Sequence, residues 1–192
     1  MKVITRCIVL ISLFVIPMSS WAQAEPGKYE VGGAYEHLTG DFGLNGLNVN
    51  GGYRFHTYVT LVAQGDFLWG SSKIGAFTLS SATGFTTVNS NYQGGLGGAR
   101  FFVFGTKTKH HIRPFGEVML GYSRLHQSVN SFTGAINTEA SATGFTWLVG
   151  GGGDYRLAEN WDARGTLDFV RTHFVGEGQS KLRLTIGIVH HF

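Results

Sequence analysis

An alternation of apolar and polar residues with a period of two runs through most of the chain after residue 25. Successive side chains of a strand point to opposite faces, so such segments must build a sheet with two different surfaces. The clearest case closes the sequence. Leu182, Leu184, Ile186 and Ile188 share one face and lead into His190 and Phe192, while Lys181, Arg183, Thr185, Gly187, Val189 and His191 share the other. In 59–69, Val59, Leu61, Ala63, Gly65, Phe67 and Trp69 oppose Thr60, Val62, Gln64, Asp66 and Leu68. Residues 145–156 and 161–169 alternate in the same way, and similar readings place strands near 28–38, 45–55, 88–104 and 112–127. Glycines 94, 95, 97 and 98 leave the phase of 88–104 undecided and admit a bulge there. Eight strands result. Short connections at 56–57, 105–110 and 158–160 alternate with long ones at 70–86 and 128–139, and 39–44 and 174–180 are of moderate length. Ten strands remain open if 73–79 and 81–87 pair as a hairpin.

Residues 1–24 read as a secretory signal outside the fold. Lys2 and Arg6 precede an apolar core at 7–16, half the ~20 residues that a membrane helix needs. Pro17 breaks the core, and Ala22-Gln23-Ala24 offers a cleavage site after Ala24, with Ser20-Trp21-Ala22 as a competing site after Ala22. A single domain then occupies 25–192. Cys7, the only cysteine, leaves with the signal, so no disulfide holds the domain together. Losing Lys2 and Arg6 takes the formal charge from +3 to +1, and the remaining charges are spread along the chain, unlike a nucleic-acid footprint. No apolar run after the signal approaches eighteen residues, which excludes a transmembrane helix. The choice narrows to an exported soluble β domain or a barrel in an outer membrane.

The two faces decide between them. The polar face carries Glu30, Glu36, Arg54, Asp66, Glu117, Asp154, Arg156, Asp162, Arg164, Asp168 and Arg183, both signs nearly balanced. The apolar face sets bulky aromatics near strand ends: Tyr29, Tyr53, Tyr155 and Trp161 toward the short turns, and Tyr35, Trp69, Tyr122 and Trp147 toward the long connections. Two aromatic rows bracketing an aliphatic belt form the girdles of a membrane barrel. A soluble barrel with a charged outer face gives no reason for aromatics at both ends. Charged residues make up only 14% of the chain, against ~25% in soluble domains. The expected fold is all-β: an eight-stranded antiparallel up-and-down transmembrane β-barrel. The charges then lie inside, and the expected location is the cell outer membrane, reached through the cleaved signal.

The last eight residues, Thr185-Ile186-Gly187-Ile188-Val189-His190-His191-Phe192, resemble the insertion signal of bacterial outer-membrane barrels, with Thr185, Gly187 and Phe192 at its marked positions. His190 departs from that pattern, which usually has an apolar or aromatic residue there. With Arg113-Pro-Phe-Gly-Glu117, Gly150-Gly-Gly-Gly-Asp-Tyr-Arg156 and Leu182-Arg-Leu-Thr-Ile-Gly-Ile-Val189, the domain resembles the small outer-membrane β-barrel family of OmpA/OmpX-like architecture. The resemblance covers 25–192 and implies insertion by the barrel assembly machinery. It specifies a class of barrel and no activity.

The expected role is structural or surface-interactive, in adhesion or envelope integrity, with the interior plugged by the charged network. A narrow solute channel is the alternative, since inward glycines at 150, 152 and 187 leave room beside the charges. A lipid A-modifying enzyme is third. His126, Ser128 and Glu139 have the residue types of an acyl-transfer site near the outer rim, and lipid A deacylases are similar small barrels, but no lipase signature surrounds them. No catalytic residue is assigned on this reading. His56, His110, His111, His190 and His191 map to the periplasmic rim, and His37, His126 and His173 to the outer rim. Neighbours such as His190 and His191 face opposite ways, so no metal site and no cofactor are expected. Expected partners are outer-membrane lipid and lipopolysaccharide, and an extracellular ligand at 70–86 and 128–139, segments that read either as plain surface loops or as extensions of the strands into a β edge that captures partners. The barrel is expected to be monomeric.

Overall fold

The computed structural model describes residues 27–40, 43–79, 82–104, 111–131, 137–174 and 177–192, so the expected signal segment lies outside the described residues. Eight strands follow in chain order: β1 (Tyr29–Leu38), β2 (Leu44–His56), β3 (Val59–Leu79), β4 (Ala82–Phe102), β5 (Ile112–Ser131), β6 (Asn137–Arg156), β7 (Trp161–Phe174) and β8 (Glu177–His191). Each pairs antiparallel with the next, and β8 pairs with β1, so the sheet is a closed barrel. Closure gives every strand two neighbours, the condition for sheet to sit in lipid.

The register gives the geometry. Tyr29 pairs with Tyr53, and the path continues through Leu61, Ala99, Val118, Val149, Phe169 and Leu182. Leu182 O then accepts from Thr39 N at 2.8 Å, ten positions further along the first strand. A ten-residue offset, ~3.3 Å per residue, over eight strand spacings of ~4.8 Å tilts the strands by roughly 40°. On β7 the ten residue steps from Trp161 to Arg171 therefore rise about 25 Å, the height of an outer-membrane apolar band.

The outer wall is apolar and exposed between the two aromatic rows: Val31, Leu47, Val49, Leu61, Leu120, Leu167, Leu184, Ile186 and Ile188 all face outward. Tyr35, Tyr53, Trp69, Tyr122, Tyr155 and Trp161 stand out from it at the two ends, with Tyr29 and Trp147 half-buried beside neighbouring rings. The undecided phase of 88–104 resolves with Val88, Ser90, Tyr92, Leu96, Arg100 and Phe102 buried inside.

Of the two readings of the long connections, the structure selects strand extension over plain loops. Most of 70–86 and part of 128–139 are strand: β3 and β4 pair without interruption to Leu79↔Ala82, broken only by a register shift near Ile74, and β5 and β6 pair out to Asn130↔Asn137. The ten-strand alternative fails for the same reason. Segments 73–79 and 81–87 do pair, but as prolongations of β3 and β4. Outside a membrane neither face of a ribbon must be apolar, so the composition there reads as loop although the hydrogen-bonded ladder continues.

Inward glycines leave less room than expected. A Cβ at Gly150 would lie 2.6 Å from Asp168 Cα, and one at Gly187 would strike Gly33 O and Ala34 Cβ on the neighbouring strand. These glycines let adjacent backbones lean in over them as the wall curves.

Candidate functional site

The lumen is filled by two tiers of charge. Nearer the termini, Glu30 on β1 lies between two guanidiniums, Arg100 of β4 at 2.7 Å and Arg164 of β7 at 2.8 Å. Arg164 also donates from Nε to Asp154 Oδ1 at 2.6 Å, and Arg113 of β5 spans from Asp154 (3.4 Å) to a close contact with Asp162. His191 closes this tier, its Nε2 2.8 Å from Asp162 Oδ2. Phe102 and Phe115 project inward among these groups, and the Arg100 guanidinium sits 4.6 Å from the Phe115 ring centroid. The second tier centres on Arg183 of β8, which pairs with Asp168 at 2.7 Å and approaches Asp66 at 3.7 Å. Asn48 Nδ2 donates to Asp66 at 2.6 Å and to Glu36 at 3.4 Å, and Gln64 Nε2 donates to Asp66 at 3.1 Å. Glu117 joins the tiers, 2.8 Å from Arg100 and 3.8 Å from Arg183.

Between the tiers lies a cavity of about 20 Å³ bordered by Asn50, Glu117, Arg164 and Thr185, room for a single water molecule. Toward the long connections the lumen changes character. Leu38, Leu44, Leu68, Leu96, Met119, Leu148 and Val170 form one buried apolar cluster. A row of hydroxyls crosses it: Tyr92 and Ser123 share a hydrogen bond of 2.6 Å, Ser123 and Thr146 one of 2.7 Å, and Thr146 donates to Thr172 at 3.1 Å. Paired charge thus occupies the described lumen near the termini, and an apolar cluster crossed by hydroxyls occupies it toward the long connections.

Of the eleven residues assigned to the interior from phase, nine are buried in it: Glu30, Glu36, Asp66, Glu117, Asp154, Asp162, Arg164, Asp168 and Arg183. One is corrected. Arg156 ends β6, its side chain is 40% exposed, and it only approaches Asp162 at 3.9 Å. Arg54, next to the β2–β3 register shift, is half-buried, its buried Nε without a hydrogen-bond partner among the described residues. At the barrel mouth inward phase alone does not bury a side chain. Arg156→Ala is therefore expected to change the urea midpoint of the folded barrel by no more than ~0.5 kcal/mol equivalent.

Phase reading missed Arg100, Arg113 and His191. The glycines before Arg100 hid its phase, and its place opposite Glu117 in the register was the signal that locates it. His191, expected at the interfacial rim, turns into the network instead. His190 packs outside between Trp161 and Phe192, with ring centroids 4.5 Å away on each side, filling the place of the apolar or aromatic residue usual in the insertion signal. Thr185 is buried in the lumen, Gly187 backs onto β1, and Phe192 N donates to Tyr29 O at 2.9 Å. His37 shares a hydrogen bond with Asn45 at 2.7 Å, His56 lies 5.9 Å from Tyr58 between ring centroids, and His110 lies outside the described residues. Ser128 is the register partner of Glu139, and His126 sits two residues down the same strand, with no hydrogen bond joining the three among the described residues.

The second feature is a ribbon above the barrel. Beyond Trp69, β3 pairs only with β4 among the described residues, and β6 before Phe145 pairs only with β5. Strands β3 to β6 thus continue past the ends of β2 and β7 as a four-stranded sheet with two open edges.

Comparison with known proteins agrees with this architecture. The attachment invasion locus protein Ail of Yersinia pestis superposes with a TM-score of 0.53 at 13% identity, covering 87% of this chain and 98% of Ail. The outer membrane protein OprG of Pseudomonas aeruginosa gives 0.57 at 11% identity, covering 88% and 97%. At such identities the likeness is one of fold. No curated protein matches the sequence. The family model of the outer membrane protein beta-barrel domain matches residues 8–191. The chain belongs to that family and is an integral outer-membrane β-barrel.

Proposed function

We propose that this barrel acts at the cell surface, as an anchored interaction module with a closed lumen. The observation that carries the reading is the extension of β3–β6 past the rest of the wall, above a lumen occupied by paired charges and an apolar cap. Outer-membrane barrels keep short turns on the periplasmic side and long connections outside, which puts the ribbon at the surface. Its open edges present unpaired backbone groups of the kind that take up a partner's extended segment. Ail, which shares the fold, is by its name an attachment invasion locus protein, and a role in attachment is consistent with this reading. The last strand, ending in Phe192, serves the assembly machinery during insertion.

Two measurements test the proposal. In planar bilayers the folded protein is expected to give no conductance steps, and regular steps would replace this reading with the solute channel. Bacteria expressing the chain with 72–87 and 129–138 each replaced by a two-residue Asn-Gly turn are expected to keep the heat-modifiable barrel and lose attachment to cultured epithelial monolayers. Equal attachment would leave only an envelope-supporting role.

The hydrolase reading keeps one observation in its favour, the register pairing of Ser128 with Glu139 beside His126. Mass spectrometry of purified lipid A after incubation with the folded barrel tests it, and unchanged acyl chains would dismiss it.

A further inference from the structure

Every other buried acid of the lumen has a guanidinium within ion-pair distance, but Glu36 on β1, 1% exposed, has none among the described residues. Asn48 Nδ2 donates to Glu36 Oε2 at 3.4 Å, and the same nitrogen donates to Asp66 Oδ1 at 2.6 Å. One amide of β2 thus sets two carboxyl groups side by side, within hydrogen-bond reach of each other. Asp66 is the better supplied of the two. Gln64 donates to it at 3.1 Å, and Arg183 stands 3.7 Å away. The cations do not balance the acids at this level. Arg183 of β8 is already 2.7 Å from Asp168 of β7 and 3.8 Å from Glu117 of β5, which Arg100 also holds. From β4 the titratable neighbour of the pair is the neutral hydroxyl of Tyr92, bonded to Ser123. Asp154 of β6 belongs to the other tier, and Arg54 of β2 to the mouth.

A buried carboxylate without a cation is costly, and two acids that share a site do not both ionise. Asp66 has the donors that hold a carboxylate, and Glu36 does not. We infer that Glu36 keeps its proton in the folded barrel at neutral pH and donates it to Asp66, forming a pH-responsive latch between β1 and β3. Leu38 and Leu68 follow these acids two residues on along the same inward faces, and both belong to the buried apolar cluster. Loss of the proton sets two carboxylates in repulsion at the foot of that cluster. The latch therefore holds in neutral and acid media and opens in alkali. It belongs to the lumen alone and is independent of what the ribbon binds.

Two measurements on the full-length barrel, folded in an ester-free zwitterionic detergent, test the latch. Infrared spectra at neutral pH should show a protonated carboxyl stretch that shifts when the glutamate side chains carry carbon-13 and vanishes in E36Q. Absence of that band from the wild type would overturn the inference, and this reading stands even if E36Q does not fold. Urea unfolding reads the consequence. Glu36 is ionised in the unfolded chain and protonated in the barrel, so unfolding releases a proton and stability falls as pH rises. Between about pH 6 and about pH 9 the unfolding constant of the wild type should rise by up to about tenfold per pH unit more than that of E36Q. At neutral pH E36Q should match or exceed the wild type, since its amide N–H replaces the acid O–H toward Asp66. E30Q, which removes an ion-paired carboxylate instead, should lower the midpoint and keep the slope. A lowered midpoint for E36Q with the wild-type slope would mean an ionised Glu36 and end the proposal.

Discussion

Replacing Arg164 with alanine is expected to lower the unfolding free energy of the barrel by about 3–5 kcal/mol, read as a fall in the urea midpoint of protein folded into lipid vesicles. Arg164 is 6% exposed and holds two carboxylates at once, Asp154 at 2.6 Å and Glu30 at 2.8 Å. After its removal Glu30 keeps Arg100, but Asp154 is left with Arg113 at 3.4 Å. An under-compensated carboxylate buried in the lumen is the costly product, more than the lost attraction itself. Asp168→Ala acts in the same direction, by stripping Arg183 of its 2.7 Å partner. Ser131→Ala, at the outer end of β5, is the comparison. Equal midpoints for all three variants would remove the interior network as a source of stability.

The second large effect comes from glycine. Gly98→Ala is expected to destabilise the barrel by about 3 kcal/mol, at the upper end for overpacking, with a matching loss of the heat-modifiable form on gels. The new methyl would lie 2.7 Å from Met119 Cα and meet Val118 O, both backbone atoms of β5 that cannot turn aside. Gly95→Ala, three residues away on the same strand, is the control. Its side chain would point outward with nothing within 4 Å, and it should leave stability unchanged or raise it by ~0.4–1 kcal/mol through the unfolded chain. A similar loss from both substitutions would mean that curvature of the wall is not what the inward glycine serves.

Much of this architecture is legible in the chain alone. Period two in β3, β6, β7 and β8 assigned each side chain to a face, because a lipid-facing wall tolerates almost no interruption. With β1 and β5, that same regularity put nine charges in the lumen. It failed where its physical cause is absent. Above the membrane, β3 and β4 continue through Ser71, Ser72 and Lys73, where no apolar face is demanded and the pairing is visible only in space. At the periplasmic mouth, Arg156 shares the inward phase of Asp154 but not its burial, because the barrel ends there. At Arg100, the preceding glycines erase the alternation from which a face is read.

Side-chain order along the chain therefore settles the class of fold, its setting in a membrane and the sign of each face, since these depend on neighbours two residues apart. Which charges meet, and which side chains stack inside the barrel, depend on closure. The ten-residue offset brings Glu30 of the first strand to the level of Arg100, Arg164 and Asp154 from the fourth, seventh and sixth. It also gathers Leu38 of the first strand, Leu68 of the third, and Leu148 and Val170 of the paired sixth and seventh into one apolar cluster. Val62 and Leu68 share the face of Thr60 and Asp66 in the chain, and only in space do they stack with Leu148 and Met119 as an apolar layer inside the barrel.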